Sequence, residues 1–292
     1  MSTASPRIAA FATISQVVEP LDTHLALTSI NAYTVARAYT PQLGVHALLA
    51  GLLHDLGKIL RLYQGQGEHK CLPSKANPQQ CSYTGHEVFS AILVAQLLKN
   101  TKTLSQEDKR IIVYAVLAHH QYMGTPIERL EKLLRKLEEL RLLDKKRMEP
   151  VSLLEPAIDV SQLLRNTIQQ LRREKLLEES VEAVRAVEEV EEEAKHLSNP
   201  APILGTLIET IEPENTLRKL LGELSPTSMD TREERVKARI LAGILIASDN
   251  YTAAINRRGT VPRHFKTYIE YAKLLSTSNQ QLHPQPYPNY LE

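Results

Sequence analysis

The stretch Ala50–Leu60, AGLLHDLGKIL, constrains this chain more than any other, because an apolar helical run ends abruptly in His54-Asp55. Leu48, Leu49, Leu52, Leu53 and Leu56 give the run a wide apolar face, the pattern of a buried helix. An Asp buried beside a His in such surroundings costs several kcal/mol unless a partner neutralises its charge. Gly57 is suited to ending the helix, and Lys58 then projects from the turn beside the pair. Two readings stay open at this point. One is a bound cation that takes His54 and Asp55 as ligands; the other is a helix-end hydrogen bond between the two side chains.

With 292 residues, the chain can form one large domain or one domain carrying an insertion. Thirty-five Lys+Arg balance thirty-four Asp+Glu, so any basic footprint for nucleic acid must be local. Aromatic residues make up 5% and Trp is absent, which argues against a base-stacking platform as the main recognition device. No apolar run approaches the ~20 residues needed to span a membrane. The opening MSTASPRIAAFATISQ lacks the basic start and long apolar stretch of a signal peptide. A cytoplasmic location without a membrane partner is therefore expected. Cys71 and Cys81 share a polar loop, and in that compartment two reduced thiols are the default; a disulfide stays open for a hyperthermophile source.

The periodic segments read as helices almost throughout, and no strand pattern stands out. The first helix spans Leu21 to Tyr39, with His24 in its opening turns. Thr40-Pro41 reads as N-cap and first position of the second, which runs into His54-Asp55. A loop rich in Gly, Pro, Asn and Gln follows from Gln64 to Tyr83. Thr84-Gly85-His86-Glu87 reads as a capping box for a third helix, with His86 in its first turn. Ser105 caps a fourth that closes on His119-His120. Thr231-Arg232-Glu233-Glu234 starts the helix that carries Asp249, and a last helix runs from Pro262 to Leu275.

Between these lies a different composition. Thr125-Pro126-Ile127-Glu128 is a capping box with Pro at the first helical position, and the chain then becomes rich in Leu, Glu, Lys and Arg. Leu130, Leu133, Leu134, Leu137 and Leu140 form one stripe and Val181, Val184, Val187 and Val190 another, with a break near Met148 to Pro156. This predicts an inserted helical hairpin or short antiparallel coiled coil that buries its stripes largely within itself and is dispensable for chemistry. The fold class expected is all-α, a helical bundle with a charged helical insertion. Its boundaries are a core over 1–126 and 226–276, an insertion over 127–225 and a Pro-rich tail over 277–292.

His24, His54, Asp55, His86, His119, His120 and Asp249 each lie in or at the end of an apolar helix. One such histidine is ordinarily a satisfied core residue. Five with two aspartates would each need a separate buried partner, whereas one shared metal centre satisfies all seven. His46, His69, His196, His264 and His283 have no comparable setting.

The order His24, His54-Asp55, His86, His119-His120, Asp249 resembles the HD superfamily of metal-dependent phosphohydrolases. More narrowly, the chain resembles the stand-alone HD nuclease of type I CRISPR interference. The resemblance rests on LDTHLALTSINAY, AGLLHDLGKI, GHEVFSAILVAQLL, LAHHQ and LIASDNYTAA, within residues 20–125 and 230–260. It implies an HD-domain bundle in which one ion is held by His24, His54, Asp55 and Asp249. A second is held by His86, His119 and His120, with Asp55 bridging as the central catalytic carboxylate. It also implies a nuclease acting on single-stranded DNA in antiviral defence, alongside a separate CRISPR helicase and a guide-RNA surveillance complex.

The imidazole-rich set favours two transition-metal ions (manganese, iron, cobalt or nickel) over magnesium. Lys58 is placed to offset negative charge on a phosphate. Arg257, Arg258 and Arg263 form the best local cluster for phosphate contacts, although they serve equally well as helix-terminal cations. The alternative is a nucleotide or cyclic-dinucleotide phosphohydrolase on the same centre. HHQYMGTP is faintly similar to a segment of the cyclic-dinucleotide enzymes but lacks their Glu and Gly-Tyr-Pro. A non-catalytic adaptor stapled by metal is disfavoured, since structural sites close their coordination without two ions.

Overall fold

Helices α1 (Leu21–Tyr39) and α2 (Gly44–Leu53) set the frame, because both are apolar on more than one face and must be covered on all sides. A 3-10 turn at Pro41–Leu43 joins them, and Gly51 lets them approach closely: a Cβ there would sit 2.6 Å from the Ser29 Cα. The computed structural model describes residues 8–12, 17–64, 81–120, 123–143, 150–174, 180–197, 199–208, 212–257 and 263–278. Arg258, Cys71, Met148, most of the 64–83 loop and the tail from 279 lie outside the described residues.

The HD segment leaves α2 through a 3-10 turn at Leu56–Ile59 and a short helix α3 (Arg61–Gln64). Helix α4 (His86–Leu98) buries twelve of its thirteen residues, so every side of it needs a neighbour. Helix α5 (Gln106–Ala118) begins at Ser105, whose hydroxyl and Asp108 form the expected capping box. Helices α5 and α11 (Arg232–Asn256) pack on each other and on α2, and α11 and α12 (Arg263–Ser278) close over α1. The result is an all-α helical bundle with its core between α1, α2, α4, α5 and α11.

Several local expectations change. Ala9–Ala12 (β1) pairs antiparallel with Val17–Pro20 (β2), a hairpin too short and too weakly alternating to read from AAFA and VVEP. The Thr40 side chain makes no cap bond. The third helix is not started by Thr84 either: Gly85 is its N-cap, at φ +84°, in the left-handed region that suits glycine. At the next start the capping box does form, with Thr125 N–H donating to Glu128 Oε2 at 2.8 Å. Thr231 caps α11 through its hydroxyl, whereas Glu234 turns inward to Arg110. Val181, Val236 and Ile240 are exposed. Cys81 is disulfide-bonded, and the chain's other cysteine is Cys71. The expectation of reduced thiols rested on compartment, whereas pairing depends on how close the chain brings two sulfurs.

The Leu/Glu-rich segment differs most from expectation. Helices α6 (Pro126–Leu143), α7 (Val160–Arg173) and α8 (Val181–His196) do not bury their apolar stripes only among themselves. α7 and α8 pack together, but α7 also lies on α1, and α8 on α2 and α4. Leu163, Leu164, Ile168, Val187 and Val190 belong to the same continuous core as Leu48 and Leu52. At the break in the segment, Ala157 N–H donates to Ile59 O at 2.8 Å and Arg61 N–H to Glu155 O at 2.9 Å, directly beside the HD turn. The reason is α4, whose all-round apolar surface requires a cover that the core helices alone do not supply. Helices α9 (Ala201–Ile208) and α10 (Pro213–Leu221) complete the layer, with α10 against α4 and α6.

Two measurements check this packing. Gly51→Ala forces backbone against backbone and is expected to cost about 1–3 kcal/mol in chemical denaturation. Gly243→Ala, in the body of α11 with nothing within 4 Å of a new Cβ, is expected to stabilise by about 0.5–1 kcal/mol. A chain in which a short Gly/Ser bridge replaces 126–226 uncovers α1, α2 and α4 and is expected to lose cooperative unfolding. Full retention of a sharp thermal transition in that deletion would show that the segment is an appendage.

Candidate metal centre

Four helix ends, a turn and the body of α11 converge on one point, each contributing polar residues from an apolar run. His24 lies in the first turns of α1, and His54 is the C-cap of α2. Asp55 opens the 3-10 turn, His86 is the first residue of α4, His119 is the C-cap of α5, and His120 follows it. Asp249 comes from the body of α11. His24, His54, Asp55, His86, His119 and Asp249 are buried, and His120 is half-buried.

Gly57 makes the convergence possible by its size. A Cβ at Gly57 would overlap the His86 carbonyl oxygen and lie 2.8 Å from Ser90 N. Gly57 N–H instead donates to Ser90 Oγ at 2.8 Å, which draws the HD turn onto the start of α4. The expected helix-ending role of Gly57 is thus replaced by close approach.

The seven side chains form two groups that share Asp55. In the first, His24 Nε2 lies 3.3 Å from Asp55 Oδ2 and 3.0 Å from Asp249 Oδ1. His54 Nε2 lies 3.3 Å from Asp55 Oδ2 and 3.7 Å from Asp249 Oδ1. In the second, His86 Nε2 and His119 Nε2 lie 2.8 Å and 3.7 Å from Asp55 Oδ1. The His120 ring sits beside both, with centroids 5.0 Å from His86 and 4.1 Å from His119. Within each group the ligand atoms lie within 4.8 Å of one another.

Donor chemistry tests whether cations fit. His54 Nδ1 is 2.9 Å from Gly51 O, His86 Nδ1 2.5 Å from Tyr83 O, and His119 Nδ1 2.5 Å from Val116 O. His24 Nδ1 is 2.7 Å from Glu19 Oε1. A carbonyl or carboxylate there accepts from Nδ1–H, so in the neutral ring the lone pair is on Nε2. Yet His24 Nε2 and His54 Nε2 stand 3.3 Å apart, as do His86 Nε2 and His119 Nε2. Asp55 Oδ1, buried, accepts no hydrogen bond. Imidazole nitrogens and carboxylates that converge this closely are satisfied by cations, and rings held from behind through Nδ1 are the usual arrangement of metal-ligating histidines. Both groups therefore fit a divalent ion.

Protonation follows the same division. Burial opposes charge on Asp55, but His54, Lys58 and His86 outweigh it and hold the carboxyl well below the usual range. Burial is likewise overcome at Asp249 by His24 and His54. His24 is raised well above the ordinary histidine value, because Asp249, Asp55 and Glu19 together exceed its burial. His54 is raised by Asp55 and Asp249 against its own burial. Burial lowers His86, helped by Lys58, and lowers His120 strongly, helped by His119 and His86. The two carboxylates of the first group thus favour charge on His24 and His54, whereas burial disfavours it on His86 and His120.

Lys58 is not a surface residue. Its Nζ lies 2.5 Å from Asp55 Oδ2 and 5.1 Å from the centre of the Tyr83 ring. Arg257 Nε lies 2.7 Å from Glu19 Oε2, so its guanidinium is half-buried against the protein. Arg263 is exposed at the start of α12. Two carboxylates escaped sequence reading. Glu19 sits on the unforeseen hairpin, and Glu87, expected in a cap, is buried against Arg129 of α6, with Arg129 Nη2 donating to Oε2 at 2.9 Å. The available signal for Glu87 was a charge beside His86 in an otherwise apolar helix.

The family model described as Cas3, HD domain matches residues 21–249, a span that includes all seven residues. No curated protein and no solved structure matches the chain. Elemental analysis checks the two-group arrangement: His24→Ala or Asp249→Ala should leave one of two ions, as should His86→Ala or His119→Ala, and Asp55→Ala should leave none. An Asp55→Ala protein that keeps its full metal content would remove that carboxylate from the centre.

Proposed function

The chain belongs to the family of the Cas3 HD domain and is a CRISPR-associated, metal-dependent HD nuclease; from that premise we propose that it hydrolyses the phosphodiester bonds of single-stranded DNA in antiviral interference. A separate helicase and a guide-RNA surveillance complex deliver the strand. The observation that carries this reading is the division of Asp55, with Oδ2 toward His24 and His54 and Oδ1 toward His86 and His119. A carboxylate that serves both groups suits a pair of cations ~3.5–4 Å apart, which when bound supply an activated water and stabilise charge on the leaving oxygen. The donor set favours manganese, iron, cobalt or nickel, with magnesium weaker.

The side chains have separable parts in this proposal. Asp55 serves both groups, and Lys58 fixes its orientation through Oδ2. His24, His54 and Asp249 hold one side; His86, His119 and His120 hold the other. Lys58 also adds positive charge next to the place where a phosphate must sit. Arg263, exposed at the first position of α12, is a cation of the basic cluster available for backbone phosphates. Among the described residues no helix is long and apolar enough to cross a membrane.

The test is incubation of pure protein with labelled single-stranded DNA, duplex DNA, RNA and a panel of nucleotides and cyclic dinucleotides, across manganese, iron, cobalt, nickel and magnesium. Single-stranded DNA should be cut with transition metals, chelator should stop the reaction, and Asp55→Ala should reduce it to background. Turnover of nucleotides or cyclic dinucleotides without cleavage of single-stranded DNA would replace this reading with a small-substrate phosphohydrolase.

A further inference from the structure

Behind the centre, one imidazole is held differently from its neighbours. His54, His86 and His119 use backbone carbonyls at Nδ1, which are neutral. His24 uses the Glu19 carboxylate, 2.7 Å away. Glu19 is 1% exposed and therefore out of reach of any substrate. Asn256 Nδ2 donates to its Oε1 at 2.7 Å, and Arg257 Nε donates to its Oε2 at 2.7 Å. Both residues end α11, the helix that carries Asp249 about two turns earlier. His24 and Asp249 stand 3.0 Å apart in front of this cluster.

We propose that Glu19 is a positioning residue for the His24–His54–Asp55–Asp249 half of the centre, acting through His24 and through the end of α11. The inference rests on the metal-centre reading above and adds a residue that lies before the span matched by the family model. A carboxylate behind a ligating imidazole fixes the ring tautomer with Nε2 free to bind, and raises the basicity of that nitrogen. A buried carboxylate is tolerable only with compensating donors, and Asn256 and Arg257 provide them. The same two bonds tie the strand that carries Glu19 to the helix that carries Asp249, so one anionic group sets the spacing of two ligands. This also accounts for Arg257: its charge is balanced within the fold. The effect is confined to one half, because the Nδ1 partners of His86 and His119 are backbone carbonyls of other segments.

The experiment is calorimetric titration of chelator-stripped full-length protein with manganese. Wild-type protein should take up two ions; if it takes up none, the metal-centre reading itself fails. Glu19→Gln, which keeps the shape and loses the charge, is then examined in two backgrounds. In His86→Ala, where the His24 half remains, manganese affinity should fall about 10–100-fold. In His24→Ala, where the other half remains, Glu19→Gln should change affinity by less than about 3-fold, below the range expected of a lost ligand partner. A general packing defect would weaken both backgrounds equally. Should Glu19→Gln fail to fold, Glu19→Asp retains charge with shorter reach and should give a smaller loss in the His86→Ala background alone. Unchanged affinity in the His86→Ala background, or equal loss in both, would overturn the proposal while leaving the nuclease reading intact.

Discussion

The buried carboxylate of Asp55 is the constraint on which the rest of the structure depends. An isolated ionised carboxylate at 1% exposure would be untenable, since the effective penalty for burying an ion is several kcal/mol. Neutralising it requires cationic or metal-binding groups from many directions at once, and no single helix presents more than one or two. Four helix ends, the body of α11 and a turn therefore meet at this point, and Gly57 is there because no larger residue lets the HD turn touch α4. The arrangement that solves the electrostatic problem also builds two ligand groups around one bridging acid.

Each half of the centre is backed by an ion pair built on a buried glutamate. Glu19 and Arg257 stand behind His24, and Glu87 and Arg129 stand beside His86. Breaking such a pair by removing one partner typically costs about 3–5 kcal/mol, because a buried charge is left uncompensated. The hairpin and α6 are thereby fastened to the catalytic region by charge as well as by apolar packing. The Leu/Glu-rich segment is accordingly packed onto the core helices. Its start is clamped to α4 through Arg129, its break hydrogen-bonds to the HD turn, and its α7–α8 pair covers α1, α2 and α4.

Periodicity and capping chemistry are local properties, and they were legible in the chain itself. The extents of α1 and α5, the starts at Ser105, Thr125 and Thr231, and the run ending at His54-Asp55 all follow from side chains within four residues of each other. The seven polar residues at the limits of apolar helices were legible for the same reason: each violates its immediate surroundings, and only a common partner repairs all seven violations. What joins them in pairs and triples, with Asp55 divided between two groups, follows from helix packing and has no signal in any single segment. The Glu19 hairpin, the Glu87–Arg129 pair and the inward turn of Arg257 were decided by tertiary structure alone. Their partners lie 5 to 238 positions away, and a four-residue strand or one buried charge leaves no periodic trace. The membership of α7 and α8 in the central core belongs to the same class. An amphipathic stripe states that a face must be buried, but only the shape of α4 and its neighbours determines what buries it.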